Sequence, residues 1–516
     1  MNRKLVGAVA LIAIFAVGIG GGALAAVVVG LGDDDDAAQS VDEPDGPAGP
    51  VPAGLGRFYE QRLDWQPDCH RGTECATLTV PVDYREPDGA TVDLALERRL
   101  ADDQSDKVGS LVVNPGGPGF GGTIMAEIAT GFFRPELLER VDIVAFDPRG
   151  TGDSDPLDCV SDQDLDTYLG QDPTPDDDAE VAEVAANQEA FFAGCVASSD
   201  ELVGHVSTAE TARDMDVLRG VLAEEELDYL GFSYGTTLGS TYAQLFPGNV
   251  GRFVLDGATD PSLDLKSDLL SQAEGFQTAL DAYVDACVAG GDCFLGGDRT
   301  GALVTIDDLL ATIDATPLPV DDGRELQAGN AFYALAAPLY SEQRWPELDR
   351  AIGDALDGDG TSMMQLFDGY WSRGPSGYTD NVAEAISAIN CLDDPSFVEP
   401  ADIPATYPEF DAASPTFGRV FAWSQLGCRG LQVEPAEVVP PIRAEGAAPI
   451  VVVGTTRDPA TPYQEAVALA EQLESGVLLS RDGDGHTAYN SGNTCIDEAI
   501  EGYLLDGVVP ADGTEC

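Results

Sequence analysis

Basic residues are scarce in this chain: 26 lysines and arginines stand against 91 aspartates and glutamates, and only three of the 26 are lysine. The formal net charge is −65, which repels nucleic acid and anionic membrane surfaces and argues against nucleic acid as a partner. Such a charge also destabilises the folded state by self-repulsion unless counter-ions screen it. The composition therefore predicts a protein that works in high salt, with an ordinary acidic secreted protein as the alternative.

Metal-binding and phosphate-binding patterns are absent as well. No two of the ten cysteines have the C-x-x-C spacing of a metal site, and no Gly-Lys-Ser or Gly-Lys-Thr follows the glycine-containing turn at residues 147–154. We interpret that turn as a structural turn rather than a phosphate loop. The sequence therefore predicts chemistry that needs no metal ion and no cofactor.

The chain does contain a long uncharged segment, residues 5–32. It exceeds the roughly 20 residues that span a bilayer. Arg3 and Lys4 precede it and four aspartates follow it, a distribution that keeps the N-terminus inside. An Ala-x-Ala sequence at residues 23–25 suits signal peptidase. We expect residues 1–32 to be a signal peptide or a signal anchor, with the length favouring the anchor, and the rest to be extracellular, either secreted or tethered to the outer face of the cytoplasmic membrane.

Beyond that segment the composition divides the chain. Residues 33–56 are rich in Asp, Pro, Gly and Ala and predict a disordered linker. Apolar strand patterns alternate with helical patterns over residues 57–260 and again over residues 436–516, which predicts a mostly parallel sheet with helices on both faces. Residues 261–435 show helical patterns and no clear buried strand. We expect an α/β core in two parts, interrupted by an inserted helical cap, with a last helix at 496–505 ending the chain.

Ten cysteines in an exported chain predict disulfides. We favour pairs that are close in sequence: Cys69–Cys75, Cys159–Cys195, Cys287–Cys293, Cys391–Cys428 and Cys495–Cys516.

The pattern Gly-x-Ser-x-Gly occurs at residues 231–235. A short apolar run at 227–230 precedes it, and a helical pattern follows that a Pro-Gly pair closes. Strand, tight turn and helix are the context of a nucleophile elbow, in which the central serine stands exposed at the tip. Ser233 is therefore the candidate nucleophile, with a chance match among 58 glycines as the alternative.

A serine hydroxyl needs a base, and the chain offers only three histidines. His70 lies between two cysteines and His205 precedes a helix, so neither follows a predicted strand of the sheet. His486 follows the last predicted strand, at 476–480. Loops at the carboxyl ends of parallel strands form the active face of such sheets, so His486 is the candidate base.

The base needs a carboxylate behind its ring. Asp458 follows the predicted strand at 450–454, which gives the chain order serine, acid, histidine of α/β-hydrolases. Asp256 also stands at a strand end and remains the rival. Asp482 and Asp484 are too close in sequence to His486 to reach behind its ring easily.

An oxyanion hole requires two backbone N–H groups aimed at one point. One should belong to Tyr234, the residue after the nucleophile, and the other to the loop after an earlier strand. The glycine-rich residues 114–119 form such a loop. We favour the Gly117 amide, with Gly116 as the rival.

Five motifs in this order resemble the secreted bacterial tripeptidyl aminopeptidases, which belong to the prolyl-aminopeptidase-like α/β-hydrolases. The motifs are Asn114–Gly119, Asp147–Ser154, Gly231–Thr236, Asp458–Pro462 and Gly485–Thr487. The resemblance runs from about residue 60 to Cys516 and is weakest in the cap. It implies an α/β-hydrolase fold, a triad of Ser233, Asp458 and His486, and an exopeptidase that cleaves peptides with a free N-terminus. An esterase or lipase with the same triad is the alternative, and a non-catalytic cell-surface binding protein is a remote one.

Overall fold

The computed structural model describes residue 49 and residues 51–516, apart from residues 71, 200, 434–436 and 438. The expected signal peptide or anchor at 1–32 and most of the expected linker lie outside the described residues. Within the part that the structure describes, none of the helices combines the length and apolarity needed to cross a bilayer.

In the described part of the chain, ten strands form one central sheet, and four short strands form two small hairpins. The strands are β1 (Gln66–Pro67), β2 (Glu74–Pro81), β3 (Thr91–Arg99), β4 (Gly109–Asn114), β5 (Val141–Phe146), β6 (Leu227–Phe232), β7 (Val250–Asp256), β8 (Leu318–Pro319), β9 (Glu325–Leu326), β10 (Arg373–Gly374), β11 (Gly377–Tyr378), β12 (Ile450–Arg457), β13 (Gly476–Asp484) and β14 (Thr514–Glu515). The large sheet has the order β1-β2-β3-β5-β4-β6-β7-β12-β13-β14. β1, β2, β3 and β5 pair antiparallel, and every later pairing is parallel. The predicted α/β fold with a mostly parallel sheet is confirmed.

The central strands are apolar runs because both faces of the sheet are covered. Val112 and Val144 pack into the core on one face, whereas Leu111 and Ile143 pack into the core on the other. Because the central strands run parallel, their carboxyl ends meet at one edge of the sheet. The loops that follow these ends carry the candidate site residues.

Among the described residues, eight α-helices precede or follow the strands of the first core part. They are α1 (Gly56–Tyr59), α2 (Ile124–Glu127), α3 (Ala129–Phe132), α4 (Pro135–Arg140), α5 (Asp162–Gly170), α6 (Asp178–Ser198), α7 (Thr208–Val221) and α8 (Tyr234–Leu245). α7 begins after Ser207, whose side chain accepts a hydrogen bond from the amide of Glu210 and caps the helix. This start places Thr208 in the first turn of α7.

Between β7 and β12 the regular elements of the described chain are helices, apart from the two small hairpins. The helices are α9 (Leu265–Ala289), α10 (Arg299–Ala315), α11 (Ala328–Ala336), α12 (Trp345–Leu356), α13 (Thr361–Tyr370), α14 (Val382–Asp393), α15 (Tyr407–Ala413) and α16 (Gly418–Ser424). After it, α17 (Tyr463–Gln472) and α18 (Thr494–Asp506) flank the last strands. We refer to residues 261–435 as the cap and propose these bounds for it.

The expectation that a helix ends the chain is wrong. β14 follows α18 and pairs parallel with β13, so the tail returns to the sheet edge. The disulfide between Cys495 and Cys516 joins the start of α18 to the end of this tail. A two-residue strand of this kind has too little pattern to be recognised in sequence.

All five favoured cysteine pairs are confirmed. The structure contains the disulfides Cys69–Cys75, Cys159–Cys195, Cys287–Cys293, Cys391–Cys428 and Cys495–Cys516. Among the residues described, no cysteine is left free.

Candidate active site

Ser233 stands at the tip of a sharp turn between β6 and α8. Its φ of 54° lies in the left-handed region, which is strained for a residue with a Cβ. The turn is so tight that a Cβ on Gly231 would lie 2.4 Å from the carbonyl oxygen of Gly235. A Cβ on Gly235 would lie 2.9 Å from the carbonyl oxygen of Asn114. Both flanking glycines are therefore required sterically, as a nucleophile elbow demands.

The loops after β12 and β13 bring Asp458 and His486 together. Nδ1 of His486 donates toward the Asp458 carboxylate and lies 2.9 Å from each of its oxygens. The carboxylate also accepts hydrogen bonds from the amides of Ala460, Thr461 and Thr487. These amides fix the carboxylate behind the imidazole ring, which selects the tautomer with its proton on Nδ1.

The other imidazole nitrogen, Nε2 of His486, is buried and has no hydrogen-bond partner among the described residues. Burial lowers the pKa of the His486 imidazole, but the charge of Asp458 and its hydrogen bond raise it, and the net pKa lies above the ordinary 6.5. The ring therefore presents an unsatisfied acceptor that can take a proton, with a carboxylate behind it to stabilise the resulting cation.

The rival carboxylate, Asp256, makes different contacts. It is fully buried at the end of β7 and accepts hydrogen bonds from the amides of Ala488 and Tyr489. Burial raises its pKa to about 6. Asp256 thus fastens the loop that follows His486 rather than bonding to the imidazole.

The other two acids near His486 are also engaged elsewhere. Asp482 and Asp484 both accept hydrogen bonds from the guanidinium of Arg457. In this structure, Asp458 is the carboxylate hydrogen-bonded to the His486 ring.

The glycine-rich loop after β4 lies directly beside the elbow. The Gly116 amide donates to Oδ1 of Asn114 at 2.9 Å, so it is already occupied. A Cβ on Gly116 would lie 2.5 Å from the carbonyl oxygen of Phe232, which shows how closely the loop approaches β6. The Gly117 amide has no acceptor within the described part of the chain. Tyr234 is the first residue of α8, a position whose amide has no intrahelical acceptor.

The turn at residues 147–154 has a structural role. Arg149 is fully buried and forms an ion pair with Asp214 at 2.6 Å. The same guanidinium donates to the carbonyl oxygens of Pro81 and Val82. Its donors are thus taken up by the protein, which agrees with the expectation of a structural turn.

Sequence reasoning missed Tyr340, a cap residue in contact with His486. The His486 amide donates to the Tyr340 carbonyl oxygen at 2.9 Å, and the two rings meet edge to face. No motif surrounds Tyr340, so nothing in the sequence indicated this contact. The position of Asp256 at the end of a strand did single it out in the sequence. It was expected as a rival acid of the triad, whereas in the structure it binds the amides of Ala488 and Tyr489.

Comparison with known proteins identifies the family to which the chain belongs. A family model described as TAP-like protein matches residues 414–516. Serine protease Hip1 of Mycobacterium tuberculosis is 38% identical over 461 residues, covering 86% of this chain and 87% of that protein. The chain belongs to the TAP-like family of α/β-hydrolases. It is therefore a serine hydrolase of the peptidase type, and the resemblance drawn from the five motifs is confirmed.

Two further relatives in this family are named for different activities. Tripeptidyl aminopeptidase of Streptomyces lividans is 30% identical over 474 residues, covering 88% of this chain and 86% of that protein. A Mycobacterium tuberculosis protein named carboxylesterase B is 35% identical over 454 residues, covering 86% of each chain. Members of this family are therefore named for peptide hydrolysis and for ester hydrolysis.

Proposed function

We propose that this serine exopeptidase releases di- or tripeptides from the free N-termini of peptides, with Ser233, His486 and Asp458 as its catalytic triad. The observation that carries the proposal is the state of the His486 ring. Nδ1 is held 2.9 Å from both Asp458 oxygens, while Nε2 is buried and unpartnered. A strained serine at the tip of an elbow is the group that such a base would activate.

The proposed reaction proceeds through an acyl-enzyme. Ser233 Oγ attacks the scissile carbonyl carbon while Nε2 of His486 takes the hydroxyl proton, and Asp458 stabilises the imidazolium. The Gly117 and Tyr234 amides donate to the oxyanion. His486 then protonates the leaving amine as the C–N bond breaks. Water attacks the carbonyl carbon of the Ser233 acyl ester while His486 takes its proton, and His486 returns that proton to Ser233 Oγ as the ester bond breaks and the peptide acid leaves. Every proton in this cycle is handled by the chain's own residues.

We further propose that the protein acts outside the cytoplasm. Five disulfides support an oxidising compartment. The uncharged residues 5–32 would provide the export signal or a membrane tether. Immunodetection in culture medium and membrane fractions, with N-terminal sequencing of the mature protein, tests both points.

The test of exopeptidase activity compares matched tripeptide anilides with free and acetylated N-termini. Cleavage of the free form alone is the expected result, since an aminopeptidase binds the substrate's ammonium group. Equal cleavage of both forms would replace the proposal with an endopeptidase or a general esterase. The Ser233→Ala variant serves as the blank for contaminating activity.

Ester hydrolysis is the second candidate, favoured by the relative named carboxylesterase B. The triad chemistry is the same for esters, and the cap decides which substrate enters. Rapid cleavage of acyl esters that lack an amino group, with no cleavage of free tripeptide anilides, would support it. Failure of the protein to react with a fluorophosphonate probe would favour a non-catalytic binding protein instead.

A further inference from the structure

The cap helix α14 lies directly against the glycine-rich loop. Gly119 has a φ of 97°, and a Cβ there would lie 2.8 Å from the amide nitrogen of Ile386 and 3.0 Å from the carbonyl oxygen of Val382. The loop backbone therefore rests on the backbone of α14 with no room for a side chain. Gly117 is two residues away in this loop, so α14 lies against the stretch of backbone that carries its amide.

The N-terminal end of α14 is bonded to the core. Asn381, the residue before the helix, donates to the carbonyl oxygens of Gly150 and Leu157 at 2.9 and 3.0 Å. Glu384 in the first turn accepts hydrogen bonds from the amides of Cys159 and Val160. Asn381 and Glu384 are both buried, so these bonds are shielded from water. This end of the cap is thus fixed to the core rather than free to open.

The C-terminal end of α14 reaches the nucleophile elbow through a chain of hydrogen bonds. Asp393 accepts from the Thr208 amide at 2.9 Å and from the Thr208 hydroxyl. A hydroxyl has one proton, so Thr208 must accept its third bond from the phenol of Tyr234. The carboxylate also lies at the N-terminus of α7, where the helix dipole favours an anion.

We propose that α14 positions both halves of the oxyanion hole, and that Asp393 is a positioning residue acting through Thr208 on Tyr234. One end of the helix supports the loop that carries the Gly117 amide, and the other end holds the side chain of the residue whose amide is the second donor. The inference rests on the proposed function, in which these two amides bind the oxyanion. It means that this part of the cap belongs to the catalytic machinery and not only to substrate selection.

The test uses substitutions that break the hydrogen-bond chain without touching the triad. Asp393→Asn removes the charge, Thr208→Val removes the hydroxyl at constant shape, and Thr208→Ser restores it. Asp394→Asn is the matched control, because it removes the neighbouring charge from a side chain whose bond is to the Ser396 amide. Melting temperatures are measured for each variant, so that a loss of activity is interpreted only in folded protein.

Two substrates and one inhibitor give the readouts. We expect Asp393→Asn and Thr208→Val to lower kcat about tenfold or more, with little change in KM, for both a free tripeptide anilide and p-nitrophenyl acetate. The inhibition constant of a peptide boronic acid, whose tetrahedral adduct resembles the intermediate, should rise in proportion. Thr208→Ser and Asp394→Asn should resemble the wild type.

Three outcomes would overturn the inference. An unchanged kcat in folded Asp393→Asn and Thr208→Val would show that the chain of bonds does not position Tyr234. A loss confined to substrates with a free amino group would make Asp393, which is open to solvent, an ammonium-binding residue instead. Equal losses in Thr208→Val and Thr208→Ser would assign the effect to packing.

A different result would contradict the proposed function itself. If wild-type protein does not react with a fluorophosphonate at Ser233, the triad assignment is wrong whatever the variants do. If wild-type protein reacts and folded Asp393→Asn reacts equally fast, only the role given to α14 is wrong.

Discussion

Tyr340 holds His486 at two points. Its carbonyl oxygen accepts the His486 amide at 2.9 Å, and its ring meets the imidazole edge to face with 5.3 Å between the centroids. Tyr340 comes from the cap, whereas His486 follows β13 of the core. The orientation of the proposed base therefore depends on the cap.

Replacing Tyr340 with alanine should loosen the imidazole, because the ring contact is lost while the backbone bond remains. We expect Tyr340→Ala to lower kcat/KM about tenfold, since small displacements of a catalytic group are costly. Steady-state kinetics on a free tripeptide anilide measure the effect. Tyr340→Phe keeps the ring and should retain most of the activity; an equal loss in that variant would assign the effect to the phenol group instead.

Ser233→Ala should abolish turnover and leave the fold intact. Removal of a nucleophilic serine costs roughly four to six orders of magnitude in kcat where the triad acts as a unit. The change removes one oxygen at a strained position, so the melting temperature should not fall. Ser424→Ala, at an exposed position in the cap, is the control. Substantial activity in folded Ser233→Ala would contradict the nucleophile assignment.

The acid limb of the pH–activity profile should reflect His486. Its pKa is raised above 6.5, and only the neutral imidazole acts as a base, so kcat/KM should rise with pH through an inflection above 6.5. Asp458→Asn removes the charge that raises this pKa. The variant should shift the inflection downward and lose about 10⁴-fold in kcat. An inflection in the wild type well below 6.5 would exclude His486 as the titrating base.

The free energy of unfolding should fall as the pH rises, whereas kcat/KM should rise. Burial raises the pKa of Asp228 to about 6, of Glu384 to about 7 and of Glu465 to about 8. Unfolded carboxyl groups titrate near 4, so between about pH 4 and pH 8 the folded state holds protons that the unfolded state has lost. The free energy of unfolding should therefore fall as the pH rises through this window. The raised pKa values of His205 and His486 act in the same sense.

Urea unfolding at several pH values within this window, in concentrated salt to suppress surface repulsion, measures that dependence. Glu465→Gln removes one of the contributing groups and should flatten the slope. Stability that increases toward pH 8 would show that these carboxyls are ionised in the folded protein at little cost.

Salt should stabilise the fold. A net charge of −65 makes surface repulsion large, and added ions shorten its range. We expect the melting temperature at pH 8 to rise by several degrees between about 0.1 M and about 2 M NaCl. Calorimetry with a neutral osmolyte at matched osmolarity is the control. Full stability and activity in salt-free buffer would refute the high-salt hypothesis.

The candidate triad could be predicted from sequence because each member follows a recognisable strand. Ser233, Asp458 and His486 come after β6, β12 and β13, and parallel strands place such loops at one edge. The choice between Asp458 and Asp256 could not be made firmly in that way. Both lie at the carboxyl ends of neighbouring strands, and only the packing shows that Asp256 accepts hydrogen bonds from the amides after His486.

The cap contacts could not be predicted at all. Gly119 and Val382 touch across more than half of the chain, and helical periodicity does not say which loop a helix will meet. The same holds for Tyr340, whose carbonyl and ring reach a loop in the second core part. The local disulfides were predictable because short sequence separations made the pairings plausible without any knowledge of packing.

The neighbouring strands β7 and β12 are far apart in the chain: one ends at Asp256 and the other begins at Ile450. Ser233 precedes this gap, whereas Asp458 and His486 follow it. Because synthesis runs from the N-terminus onward, the proposed nucleophile is made long before the proposed base. The proposed triad is therefore incomplete while the chain is being synthesised, and it is complete only when β12 and β13 have joined the sheet.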